Sequence, residues 1–156
     1  MKILFLCTAN SCRSILAEAL FNHLAPAGMR AFSAGSEPRG EINPLTLEAL
    51  ARAGIAADGL YSKSSDAHQA LNPDSVITVC DKAAGEACPV YFGPATKAHW
   101  GLVDPSESVG SPEEIKAAFD ATLVRLKLRF TAFLALPLAQ LDAATLRTEL
   151  ARIGTL

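Results

Sequence analysis

The chain is expected to form an α/β fold, a single doubly wound domain whose parallel sheet of about four strands carries helices on both faces. Three features predict it. Short apolar runs suited to fully buried parallel strands alternate with helical patterns along the 156 residues. Two of those runs, Lys2-Ile3-Leu4-Phe5-Leu6 and Val76-Ile77-Thr78-Val79-Cys80, deliver cysteines (Cys7 and Cys80) to their carboxyl ends. Half of the residues are hydrophobic, 50 %, which gives one domain of this size a full core.

The elements follow in order. After the first strand, Ile15, Leu16, Ala19, Leu20 and Leu24 recur at helical spacing, and Pro26 and Gly28 end the helix. Arg30 to Ala34 reads as a second strand and Gly35 to Gly40 as a loop. Asn43 is an N-cap followed by Pro44 at the first helical position, and Gly54 closes that helix. Ser64 to Leu71 predicts a short helix, and Val76 to Cys80 is the clearest β-branched strand. A loop from Asp81 to about Pro94 precedes a short segment at Lys97 to Leu102. Ser111-Pro112-Glu113-Glu114 joins an N-cap to an acidic first turn and opens a long helix to about Leu136. Pro137 breaks it, and Asp142 to Ile153 forms a last helix ending at Gly154. Residues 1–136 are thus expected to form the main body, with 137–156 a helical extension of the same domain. Leu138, Leu141, Leu146, Leu150 and Ile153 would pack that extension on the domain or on another copy.

Charge and composition exclude several classes. A net charge of −2 offers nothing to nucleic acid or an anionic membrane. The most apolar later stretch, Ile115 to Leu136, carries Lys116, Asp120, Arg125, Lys127 and Arg129, so it reads as amphipathic and not as a span. The strand pattern starts at Lys2 and leaves no room for a signal peptide. Four cysteines in that setting imply a reducing cytoplasm, where thiols serve catalysis or redox chemistry more often than they staple a fold.

The chemistry concentrates in Cys7-Thr8-Ala9-Asn10-Ser11-Cys12-Arg13-Ser14, at the junction of the first strand and first helix. A loop there presents backbone N–H groups and the positive end of a helix dipole to one point, which suits an anion. Arg13 supplies a planar fork for two oxyanion oxygens. Cys7, facing that pole, is expected to have a depressed pKa and to be largely thiolate. The Cys-to-Arg spacing alone is weak; the strand before, the helix after and the small polar residues between give it weight. An arginine in a helix's first turn opposes the dipole, so Arg13 needs a reason to be there.

Cys80 should share the active edge of the sheet with Cys7, and Cys88 follows eight residues later beyond Ala83-Ala84-Gly85. A flexible loop would let their sulfurs reach disulfide geometry, although a buried strand cysteine and an incidental loop thiol fit the same pattern. Zinc is disfavoured, because the cysteine spacings miss the usual gaps and no histidine pairs with them. Asp104, before Pro105, can donate a proton to a leaving oxygen or be an ordinary loop aspartate. His23, His68 and His99 read as structural or surface residues.

Three segments in register carry a family resemblance: the Cys7–Ser14 octapeptide, Val76–Cys80 with Cys88-Pro89-Val90, and His99-Trp100-Gly101-Leu102-Val103-Asp104-Pro105. Over residues 2 to about 134 the chain resembles the arsenate reductases built on the low-molecular-weight tyrosine phosphatase fold. That resemblance implies Cys7 as nucleophile, Arg13 as oxyanion clamp, Ser14 as hydrogen-bond partner of the thiolate and Asn10 as brace. The binding loop would run through Thr8, Ala9, Asn10, Ser11, Cys12 and Arg13, with Asp104 as acid. Cys80 and Cys88 would be the second and third thiols of a relay that turns arsenate into arsenite, with phosphate or sulfate as competing anions. No tightly bound cofactor is implied; the electrons would come from an external thiol reductant, thioredoxin or glutathione with glutaredoxin. The Cys80–Cys88 interval is one residue longer than in the best-known thioredoxin-coupled members, and a glutaredoxin route would make Cys88 less essential. The family also suggests a potassium ion near Asn10, Glu18 and Ser33. Two other readings use the same residues. One is a phosphatase acting through Cys7, Arg13 and Asp104, although phosphatases of this fold usually carry tyrosines where Ser106-Glu107-Ser108 stand. The other is an oxyanion or redox sensor signalling through Cys80 and Cys88.

Overall fold

The computed structural model describes residues 1–68, 70–80 and 94–156. Four parallel strands, β1 (Lys2–Cys7), β2 (Arg30–Gly35), β3 (Ser75–Thr78) and β4 (Thr96–His99), lie in the order β2-β1-β3-β4. The chain leaves β1 to one side for β2 and returns on the other side for β3. The order therefore reverses at β1 and β3, where ligands of open α/β sheets bind. The register aligns Cys7 with Gly35, Leu6 with Thr78, and Thr78 with His99, so the carboxyl ends form one edge.

Strand alternation divides the interior. Ile3, Phe5 and Cys7 face the larger core, which four α-helices among the described residues cover: α1 (Arg13–Leu24), α2 (Pro44–Arg52), α3 (Pro112–Leu134) and α4 (Ala143–Ile153). Leu4 and Leu6 face a smaller cluster with Ala34, Val76 and Ala95. Beside it Phe32 meets the ring of His68, from the single 3-10 turn Ser65–His68, at 5.5 Å between centroids. Among the described residues, that turn is what forms of the helix expected over Ser64–Leu71.

The caps follow the sequence. Asn43 accepts from the Leu45 amide at 2.9 Å, Ser111 and Glu114 make a capping box, and Asp142 accepts from the Thr145 amide at 2.7 Å. Helix α1 differs from its expected single apolar stripe. Ser14 to Phe21 is buried without interruption, because the helix is packed against the sheet, α2 and α3. A helix covered on every side has no solvent face to pattern. Strand β3 is two residues shorter at its end than Val76–Cys80, yet Val79 still donates to the Leu6 carbonyl at 2.9 Å.

The C-terminal helix is built into the large core. Leu146, Leu150 and Ile153 are buried with Phe5, Phe21 and Phe130, whose rings stand 5.2–5.5 Å apart in the pairs Phe21–Phe130 and Phe5–Phe130. Trp100 donates its indole N–H to the Leu150 carbonyl at 2.8 Å. Gly154 closes α4 against that indole; a Cβ there would lie 2.7 Å from Trp100 Cδ1. Arg129 ties the Leu156 and Gly101 carbonyls together at 3.2 Å each. The extension thereby anchors residues 100–102, which lead to Asp104. Among the described residues no helix is long and apolar enough to cross a membrane.

Leu150 is completely buried between the sheet and α3. Leu150→Ala should cost about 2–5 kcal/mol in urea unfolding, from lost transfer energy and the cavity left behind. A change below about 0.5 kcal/mol would mean that α4 is not integral to the core.

Candidate active site

The loop Thr8–Cys12 joins β1 to α1, and its carbonyls are bound outwards. Those of Cys7, Thr8, Ala9 and Ser11 accept from the amides of Ser36, Glu37, Arg39 and Asn43 at 2.8–3.3 Å. Ser62 and Thr46 hydroxyls donate to the Ala9 and Ser11 carbonyls as well, at 3.2 and 3.0 Å. In a trans peptide the N–H points opposite to the C=O, and no cis bond is present among the described residues. The amides of Thr8, Ala9, Asn10 and Cys12 therefore turn towards the loop's interior, forming a nest for an anion. The Asn10 amide reaches Cys7 Sγ at 3.2 Å.

Cys7 is nearly inaccessible, 4 % exposed, with its Sγ 2.8 Å from Ser14 Oγ. Ser14 Oγ also accepts from Asn10 Nδ2 at 2.8 Å, which holds the hydroxyl against the sulfur. These bonds lower the thiol's pKa, but burial is the larger effect and raises it above the ordinary value. The expected depressed pKa is thus corrected for the ligand-free protein. The physical reason is that burial outweighs the hydrogen bonds from Ser14 and Asn10. The Arg13 guanidinium donates to the Leu102 carbonyl at 3.1 Å and pairs with Asp104 at 3.3 Å. The same pairing explains why an arginine opens α1. Asp104 is fixed in turn by the Ser106 amide and hydroxyl at 2.9 and 2.6 Å.

Cys12 caps α1 by position only, without a side-chain bond to the helix, and burial pushes its thiol up to about 12. Cys80 is buried two residues past β3, and its Sγ lies 3.5 Å from Thr8 Oγ1 at the lip of the loop. The structure thus brings Cys7, Arg13, Ser14, Asp104 and Cys80 to one edge. Cys88 lies outside the described residues. His68 bonds the Ser33 carbonyl and His99 the Thr78 hydroxyl, away from Cys7's own partners.

With this geometry in place, comparison with known proteins is direct. Residues 2–147 match the low molecular weight phosphotyrosine protein phosphatase family. The chain belongs to that family. An arsenate reductase of Bacillus subtilis is 37 % identical over 117 residues, which cover 75 % of this chain and 83 % of that one. A solved arsenate reductase in its phosphate-binding state superposes with a TM-score of 0.66 at 25 % identity, over 83 % of this chain and 96 % of that one. A thioredoxin-dependent arsenate reductase from Corynebacterium glutamicum gives 0.58 at 32 % identity, over 83 % of this chain and 61 % of that longer one.

The family's suggested potassium ion does not fit here. Glu18 and Ser33 are buried, but Lys63 stands between them, itself 8 % exposed. Its Nζ lies 3.5 Å from Glu18 Oε1, 3.3 Å from Ser33 Oγ and 2.8 Å from the Tyr61 carbonyl. Asn10 Oδ1 is taken by the Lys63 amide at 2.9 Å, and Ser33 donates to Glu18. The oxygens that would hold a cation already serve an ammonium group. Burial lowers the Lys63 pKa, and Glu18 opposes that.

Two residues of this site escape a reading from sequence. Lys63 sits in a polar stretch that looks like solvated loop. Gly35 ends β2 where the loop backbone passes; a Cβ there would lie 2.4 Å from the Thr8 carbonyl and 2.9 Å from the Asn10 amide. A glycine ending a strand was the available signal, without a hint of what approached it.

Gly35→Ala must displace the loop and should weaken phosphate binding, measured by calorimetry, at least about tenfold or ~1.4 kcal/mol. Unchanged affinity in a folded variant would refute the close approach. Cys7 alkylation by iodoacetamide, followed by peptide mass, should accelerate as pH rises from neutral past 9.0, the ordinary thiol value. A rate already flat from about pH 6 would show a thiolate formed at neutral pH.

Proposed function

We propose that this protein reduces arsenate to arsenite by a thiol relay. The observation that carries the reading is the second thiol, Cys80, at 3.5 Å from the Thr8 hydroxyl on the rim of the Cys7 loop. The relatives named arsenate reductases support it. In the first step Cys7 sulfur attacks arsenic, and one arsenate oxygen leaves as water with a proton from the Asp104 side. Inward amides and Arg13 hold the remaining oxygens and the charge that develops on them. The anion takes over Arg13's fork, relieving Asp104 of its partner as the proton is needed.

Cys80 then attacks Cys7 sulfur. A sulfur–sulfur bond forms, the sulfur–arsenic bond breaks, and its electron pair stays on arsenic, which leaves as arsenite. Two thiols have supplied two electrons. Cys88 attacks Cys80 sulfur next, freeing Cys7 and leaving a Cys80–Cys88 disulfide for an external thiol reductant. We assign that role to a thioredoxin-type protein, with glutathione and glutaredoxin as the alternative, in a reducing compartment such as the cytoplasm. The Cys12 thiol, buried at the first turn of α1, takes no part in the relay; only its backbone amide faces the anion.

A phosphatase reading shares Cys7, Arg13 and Asp104, and the Arg13–Asp104 pairing favours it equally. It ends with water, not Cys80, attacking the covalent intermediate, and it needs no reductant.

The test is NADPH consumption driven by arsenate, with thioredoxin and its reductase or with glutathione, glutaredoxin and theirs. Arsenate-dependent oxidation is expected with one of them, falling to background in Cys7→Ser and, for the thioredoxin system, in Cys88→Ser. Absence of turnover in both, alongside hydrolysis of p-nitrophenyl phosphate, would replace this reading with the phosphatase one.

A further inference from the structure

We propose that Lys63 is a built-in monovalent cation, whose ammonium group makes the loop around Cys7 independent of any alkali ion in solution. The geometry is a filled cation pocket. The Nζ meets three oxygens, those of Glu18, Ser33 and the Tyr61 carbonyl, and lies 4.5 Å over the Tyr61 ring. Three ammonium donors thus find three acceptors, with the ring face closing one side. Glu18 is itself 9 % exposed, so its carboxylate needs a cation wherever the chain folds. A lysine tethered by its own backbone meets that need at no cost in ion capture.

The pocket is wired to the nucleophile by a short polar chain. Lys63 Nζ and Asn10 Nδ2 both donate to Ser33 Oγ, at 3.3 and 3.0 Å. Asn10 Nδ2 also donates to Ser14 Oγ, which bonds Cys7. Lys63 further holds Asn10 Oδ1 with its amide and the Gly35 amide with its carbonyl, each at 2.9 Å. Asn10 keeps a left-handed backbone, φ 48°, and its surroundings must hold it there. Lys63 is therefore a positioning residue: it touches no substrate and fixes the residue that aims an amide and a hydroxyl at Cys7.

The test compares potassium, sodium and choline chloride at equal ionic strength, reading melting temperature and phosphate affinity. Neither readout involves arsenate, so the outcome stands apart from the reductase reading. The wild-type protein should give the same values in all three salts. A saturable rise of its melting temperature or phosphate affinity with potassium over choline would overturn the proposal by itself. Lys63→Ser, which removes the ammonium and leaves room for an ion, should melt several degrees lower in choline and bind phosphate about tenfold more weakly. Potassium or sodium should restore most of both losses. Failure of either ion to do so in a folded variant would overturn the proposal. Glu18→Gln/Lys63→Met, lacking both charges, should show no cation dependence, and a response there would also refute it.

Discussion

At Asn10 the backbone enters the left-handed region, and its carboxamide is fully buried among Ser14, Ser33 and the Lys63 amide. Asparagine tolerates that conformation better than most residues, but it persists only where neighbours over-determine it. Here both ends of the side chain are used, the Nδ2 as donor and the Oδ1 as acceptor. Its backbone amide is thereby aimed at Cys7 sulfur, and the Ser14 hydroxyl is held against the same sulfur. The loop's outward-bound carbonyls repeat this logic for the other amides. Inward-facing amides result from binding the Cys7, Thr8, Ala9 and Ser11 carbonyls on the far side.

The sheet supplies the platform. Because all four strands run the same way, their carboxyl ends share an edge, and segments far apart in the chain meet there. β1 delivers Cys7, β2 delivers Gly35, the residues after β3 deliver Cys80, and those after β4 lead to Asp104. The last of these is steadied from behind. Trp100 is locked to α4 through the Leu150 carbonyl, and Arg129 holds the Gly101 carbonyl. The C-terminal helix thus contributes to the site without reaching it.

Two ion pairs flank Cys7, and they differ in kind. Glu18–Lys63 is buried, and removing one partner would strand the other in a medium that cannot solvate it. Arg13–Asp104 is partly open, with side chains 17 % and 20 % exposed, so water screens it and neither partner depends on the other for solvation.

The sequence by itself determined the fold class, the caps at Asn43 and Ser111, and the grouping of Cys7, Arg13 and Ser14 at the junction of β1 and α1. Those features are local: a capping side chain reaches two or three residues, and a strand-loop-helix junction carries its own anion site. The tertiary structure alone decided what happens between segments. It buried α1 on all sides, set Gly35 against the loop, and drove Lys63 into a pocket that its polar neighbours gave no reason to expect. It also placed Asp104 on Arg13 and buried Cys7, and that burial set the direction of the Cys7 shift. Charge balance in a protein interior depends on which groups meet after folding, and one-dimensional spacing does not record that.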